Sequence, residues 1–137
     1  MVAFNFQPEF APMIIAGTKR STLRPNGKRR APFVDEELQL YTGMRTKDCT
    51  LLLRVPCAET RDAQIHWDHI AIGGIRIDGV ERLTNFARID GFASFGSMRE
   101  WFDRQYGLPV LDLTQIRWVS ERAVFRAAEA DFAAVGA

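Results

Sequence analysis

A primary amine, a hydroxyl and a guanidinium fall within six residues of one another, at Lys19, Thr22 and Arg24. An amine becomes a base near neutral pH when burial penalises its charged form. A hydroxyl becomes a nucleophile beside such a base. A guanidinium can hold a developing oxyanion or a substrate carbonyl. The same stretch opens a run of six basic residues, Lys19, Arg20, Arg24, Lys28, Arg29 and Arg30, with no acid before Asp35. Such a run attracts polyanions locally, and Arg20, Lys28, Arg29 and Arg30 are candidates for phosphate contacts. The competing reading is a solvated basic strand and loop in which Thr22 serves strand propensity. Geometry sets a condition on the first reading. In a regular strand, residues 19 and 22 point to opposite faces, whereas Thr22 and Arg24 share one. Lys19 and Thr22 converge only if Lys19 still lies in the turn after Gly17 or if the strand bulges.

Other reactive residue types are sparse. His66-x-x-His69 has metal-ligand side chains, but in strand sequence this spacing sends them to opposite faces, and no third ligand lies nearby. Trp67 and Trp118 could stack on a base, but core positions suit them better. Cys49 and Cys57 match neither a disulfide framework nor a zinc site and read as buried thiols in a reducing compartment. There is no phosphate-cradling glycine motif, nucleophile elbow or dinucleotide fingerprint, so no cofactor is implied.

The elements that must position these groups follow from pattern. At 137 residues and net charge +1 the chain fits one domain, with no steering of the whole molecule toward nucleic acid. No apolar run reaches membrane-spanning length and no leader is visible, which predicts a cytoplasmic protein. Alternation predicts strands over 2–6, 19–24 and 37–42, another from Cys49 to Cys57, and one from Ala63 to Ile72. A hairpin turns at Gly73-Gly74. Pro8 starts a helix that Gly17 ends in a left-handed cap, with Pro12 bending it or delaying its start. A short helix covers 81–89. A capping box at Ser97 and Glu100 predicts another, with Met98, Trp101, Phe102 and Tyr106 on one face and the first three packed inward. Thr114 to Phe125 reads as a last long strand. Residues 25–33 and 43–48 are loop and turn. The order excludes a doubly wound sheet and favours an α+β fold, a small, mostly antiparallel barrel of five to seven strands with two or three helices at its ends.

Gly17-Thr18-Lys19 followed by Ser21-Thr22-Leu23-Arg24 resembles the G-x-K-x-x-T-x-R signature of ASCH domains. Supporting matches follow in order: Leu38 to Gly43, the Asp90-Gly91-Phe92 turn, the helix from Ser97 to Tyr106, and a last strand bearing Trp118. Phe6-x-Pro8-x-Phe10 and Tyr41 to Thr46 are most similar to the phage and prophage branch. The resemblance implies a PUA-like barrel over residues 1–126, with a short alanine-rich tail over 127–137. It implies RNA or a modified nucleoside as partner, and no membrane. In one branch, amidohydrolases of N4-acetylcytidine, it implies Lys19 and Thr22 as catalytic residues. The family's glutamate falls at Asp90, one methylene shorter, and Val34 to Glu37 replaces the usual Gly-Asp. Arg24, Tyr41 and Arg45 are the implied substrate contacts. The expected function is recognition of RNA or a modified nucleoside, with N4-acylcytidine hydrolysis or RNA cleavage as the alternative from the same pocket.

Overall fold

Phe4 and Phe6 alternate with polar neighbours, and in the computed structural model they are buried on one face of β1 (Val2–Phe6). The structure describes residues 1–27 and 29–128. A 3-10 turn over Pro8–Phe10 leads into α1 (Ala11–Ala16). Pro12 sits in the first turn of α1, where a missing N–H leaves no hydrogen bond unmade, so the helix starts late rather than bending. Gly17 closes α1 at φ 87°, and a β-carbon there would stand 3.0 Å from Ser120 Oγ. The cap therefore needs glycine both for its left-handed backbone and for the approach of a distant segment.

The remaining elements are β2 (Ser21–Pro25), β3 (Glu37–Thr42), β4 (Thr50–Ile65), β5 (Ile70–Ile72), β6 (Ile75–Ile77), α2 (Val80–Ile89), α3 (Phe95–Tyr106), β7 (Val110–Trp118) and β8 (Phe125–Arg126). The class is α+β, with eight strands and three α-helices among the described residues. All pairing is antiparallel except that of β1 with β3. The long β4 joins two halves. Its first half pairs β3 and β8, and its second half pairs β7 and β5. A register irregularity between Cys57 and Glu59 marks the change. The ring of strands expected of a closed barrel is not completed: β1 pairs β3 alone and β2 pairs β7 alone.

Two apolar clusters follow from this division. One gathers β1, α1, β3 and the first half of β4 around Trp118. The other gathers α2, α3, β5 and the second half of β4 around Phe102 and Met98. Phe92 and Trp101 touch both and join them.

Several expectations need correction. Residues 49–57 and 63–72 are not separate strands, because β4 runs through the polar stretch Ala58 to Asp62. Those side chains are matched across the ladder, with Arg117 Nη1 donating to Glu59 Oε2 at 2.8 Å and Arg61 Nη2 to Gln115 Oε1 at 3.0 Å. The cap of α3 is Ser94, whose hydroxyl accepts from the N–H of Ser97, while Ser97 Oγ accepts from the Ser94 N–H. The helix thus starts two residues before Ser97. The last long strand stops at Trp118, where the chain turns to carry Ser120 under Gly17. Cys49 is exposed and only Cys57 is buried. Of the tryptophans weighed as core, Trp118 is buried and Trp67 is exposed. The tail beyond Ala128 lies outside the described residues. No helix among the described residues is long and apolar enough to cross a membrane.

Phe102 is 2% exposed and meets Trp101 edge-on at a centroid distance of 4.9 Å, whereas Tyr106 is 46% exposed. Phe102→Ala should lower unfolding stability by about 3–5 kcal/mol, the usual range for emptying a buried phenylalanine site. Tyr106→Ala should cost clearly less. Urea unfolding of both variants checks the order, and equal losses would remove Phe102 from the core.

Candidate functional site

Lys19 lies before β2, in the turn after Gly17, which is the first of the two conditions for bringing it toward Thr22. Its own N–H, like that of Thr18, bonds the carbonyl of Met13 at the end of α1. The N–H of Arg20 donates to the Ile89 carbonyl at 2.8 Å, tying the segment to the end of α2. These backbone bonds turn the Lys19 side chain inward. Its ammonium donates to the Ser21 carbonyl at 2.8 Å and to the Asp90 carbonyl. It also lies 4.9 Å from the Phe10 ring centroid and 5.5 Å from that of Phe6. A cation at the C-terminal end of α2 is favourably placed against the helix dipole. Gly91 makes room for it: at φ 97°, any β-carbon would fall 2.8 Å from Lys19 Cδ.

The carboxylate of Asp90 completes the arrangement. Oδ1 accepts from Ser21 Oγ at 3.0 Å and lies 3.9 Å from Lys19 Nζ. Both residues are buried, Lys19 at 3% and Asp90 at 1% exposure. Burial lowers Lys19 to about 8, against the pull of Asp90. Burial raises Asp90 to about 6, against Lys19 and the Ser21 hydrogen bond. An acid and a base are thus held on either side of neutrality, a pattern that recurs at proton-transfer sites.

Thr22 and Arg24 extend from β2 on a common face. Arg24 Nε donates to Thr22 Oγ1 at 3.1 Å, and Nη2 donates to the Asn5 carbonyl at 2.7 Å. The guanidinium stacks 4.6 Å from the Phe6 centroid and 5.3 Å from that of Phe4. Burial lowers the pKa of Arg24. Among the described residues no hydrogen bond joins Lys19 to Thr22. Lys19, Thr22, Arg24 and Asp90 border one pocket of about 220 Å³. Its walls include Phe6, Phe10, Trp101, Phe102 and Tyr106, and its polar rim Asn5, Gln7 and Gln105.

The other site candidates lie elsewhere. Tyr41 is on β3, its hydroxyl donating to Gln39, and does not border this pocket. Arg45 stands in the turn after β3, at φ 67°, beside a second hollow that Arg24 and Arg29 also line. Arg29 donates to the Ala3 carbonyl and stacks on Phe4. Arg30 is held by both oxygens of Glu36, at 2.7 and 2.8 Å. The backbone of Arg20 is fixed while its side chain is exposed. Lys28 lies outside the described residues. His66 and His69 are not on opposite faces: the turn between β4 and β5 stacks their rings 4.2 Å apart, 7° from parallel. No group of three metal-ligating side chains occurs among the described residues.

Comparison of the chain with family models, with curated proteins and with solved structures returns no match.

Sequence reasoning missed Ser21, which ties Asp90 to β2, and Asn5, whose carbonyl anchors Arg24. Ser21 is one residue from Thr22, and its burial depends on contact with a helix end about seventy positions away. The partner of Arg24 is a backbone atom, which no residue pattern reveals.

The buried pair makes stability depend on pH in a defined way. Between about 4 and 6 the folded chain keeps a proton on Asp90 that the unfolded chain gives up, so this group's contribution falls as pH rises. Between about 8 and 10.5 the folded chain has lost the Lys19 proton that the unfolded chain keeps, so its contribution rises with pH. Denaturant unfolding across pH should show Asp90→Asn without the acid-side fall, a difference on the order of 2–3 kcal/mol from wild type. Parallel pH curves for the two proteins would show that Asp90 does not titrate in this range.

Proposed function

We propose that this chain is an ASCH-type domain whose pocket takes a nucleoside, free or within RNA. The signature from Gly17 to Arg24 supports the assignment. So does the long β4 shared by two half-sheets, the arrangement a PUA-like barrel would need. In that reading the barrel is closed by side chains at one seam: Arg24 and Arg29 reach from the β2 side to the Asn5 and Ala3 carbonyls of β1.

The observation that carries the proposal is the buried Lys19–Asp90 pair facing an aromatic-walled pocket. Desolvating two opposite charges is costly, and an apolar pair of the same volume would often be as stable or more so. Keeping the pair where a ligand can reach it therefore points to a use for it. A nucleobase offers flat faces for aromatic stacking and an edge of donors and acceptors for Lys19, Asp90, Asn5 and the glutamines. The buried indole N–H of Trp101, without a protein partner, is a further donor on a pocket-lining residue. The pocket is smaller than the roughly 300–1,000 Å³ usual for drug-sized ligands, which suits one base or nucleoside.

One observation favours a second reading, hydrolysis of an N4-acylated cytidine. Lys19 and Asp90 are shifted toward each other's range, and Thr22 lines the same pocket. Thr22 Oγ1 accepts from Arg24, so its own proton remains available to a base. Cleavage by this route needs attack of Thr22 on the acyl carbon, breaking the C–N bond with a proton passed to the leaving amine, and then attack of water on the acyl-threonine to release the acid and restore the hydroxyl. RNA cleavage has no comparable support.

The test is calorimetric titration of the protein with cytidine and N4-acetylcytidine, alongside a mass-spectrometric screen of other modified nucleosides and an assay for released acetate. The binding reading expects a complex that weakens at least about tenfold in Arg24→Ala, on loss of a stacked, charge-assisted contact. If the second reading holds, Thr22→Ala should stop acetate release while still binding, and Asp90→Glu should retain it. A wild type that binds no nucleoside in any of these formats would end the nucleoside reading.

A further inference from the structure

Arg24 borders more than the nucleoside pocket. It also lines a second hollow of about 310 Å³ with Phe4, Asn5, Arg29, Met44 and Arg45. The linings of the two spaces share Asn5 and Arg24, on β1 and β2, which are not paired by backbone. Arg24 and Arg29 share the Phe4 ring, at 5.3 and 4.9 Å from its centroid. Three arginines therefore converge on this hollow, and no acidic residue lines it.

These arginines differ from the others nearby. Arg30, Arg54, Arg61 and Arg117 are each in an ion pair with a glutamate. Arg24, Arg29 and Arg45 have no carboxylate partner among the described residues. Arg24 uses one N–H on Thr22 and one on Asn5, and Arg29 uses one on Ala3, out of five each. Backbone carbonyls and aromatic faces fix both side chains without neutralising them. A guanidinium held in place with unused N–H groups matches a phosphate, which can accept from two at once.

Building on the nucleoside reading above, we propose that the ligand carries a phosphate and that Arg24, Arg29 and Arg45 hold it in this second hollow while the base occupies the first. The ligand class is then a nucleotide or an RNA strand rather than a free nucleoside. A terminal phosphate and an internal phosphodiester share the chemistry that three guanidiniums recognise.

The experiment titrates the protein with cytidine and N4-acetylcytidine, their 5′- and 3′-monophosphates, and a cytidine trinucleotide lacking terminal phosphates, at low and high salt. At least one phosphorylated probe should bind about tenfold or more tighter than its nucleoside at low salt, the gain expected of charge-assisted hydrogen bonds. That gain should shrink at high salt. It should also shrink in Arg29→Gln and in Arg45→Gln, whose exposed positions make loss of folding a minor concern, checked by a melting curve. Tight binding of a monophosphate identifies a free nucleotide as the source, and a gain confined to the trinucleotide identifies RNA. Equal affinity for nucleosides and phosphorylated probes overturns this inference and leaves the nucleoside reading standing. A gain that survives unchanged in both variants also overturns it, because the phosphate is then held elsewhere. Failure of every probe to bind overturns both.

Discussion

The constraint on which the rest of the structure depends is the burial of one ammonium group. Lys19 has almost no access to water, so everything that would hydrate its charge has to come from the chain. The carbonyls of Ser21 and Asp90, the Asp90 carboxylate and the faces of Phe6 and Phe10 supply it. These groups belong to the start of β2, the end of α2, the end of β1 and the turn before α1. Satisfying one cation thus fixes four segments relative to each other. The backbone bonds of residues 18–20 to Met13 and Ile89 serve the same end, since they set the direction in which the side chain leaves. Gly91 belongs to this constraint too, because a side chain there would occupy the space of the lysine stem.

The open seam between β1 and β2 places the second set of charges. A sheet edge exposes carbonyls and N–H groups that need partners, and closure of a barrel is the usual way to supply them. Here alternate carbonyls of β1, at Ala3 and Asn5, accept from arginine side chains instead. Side chains reach across here, where no backbone ladder joins the two strands. The same guanidiniums line the hollow there with donors still unused. Bridging by arginine rather than by backbone therefore places charge along this seam, and Arg24 also lines the pocket that the buried lysine borders.

Much of this fold was legible where one residue decides the local outcome. The alternation of Phe4 and Phe6, the Leu38 and Leu40 pair, Gly17 after an apolar stripe and the Gly73-Gly74 turn each mark their elements directly. Legibility failed where the deciding partner is remote. The polar run in β4 reads as a break until Arg117 and Gln115 are known to face it. Ser97 reads as a cap because Glu100 stands three residues on, whereas the box is made by Ser94 with Ser97 at its third helical position. The histidines, assigned to opposite faces by strand spacing, meet because a turn lies between them. Within the site, the basic character of residues 19–24 was visible, but the burial of Lys19 was not. Asp90 entered only through a family resemblance, since nothing in its own neighbourhood distinguishes it from a turn residue.

The hydrogen bonding of Lys19 bears on whether this pocket holds a ligand or changes one. An ammonium has three N–H groups, and two of them are used on the Ser21 and Asp90 carbonyls. A neutral amine still has two. Losing the third proton therefore breaks neither carbonyl bond and leaves a lone pair where the proton had been. What deprotonation gives up is attraction to the Asp90 carboxylate, and that loss shrinks if Asp90 takes up a proton. The pair can thus exist as two ions or as two neutral groups with little movement of heavy atoms. Burial favours the neutral form and mutual attraction favours the ionic one, so burial lowers Lys19 and raises Asp90 while each charge pulls the other back. A ligand that seals the pocket strengthens both effects. Its own charge then tips the balance: an anion near Arg24 favours keeping the proton on Lys19, whereas a neutral acyl group leaves it free to move. Under the proposed function, the protonation of the pair would therefore depend on what occupies the seam as well as on the residues around it.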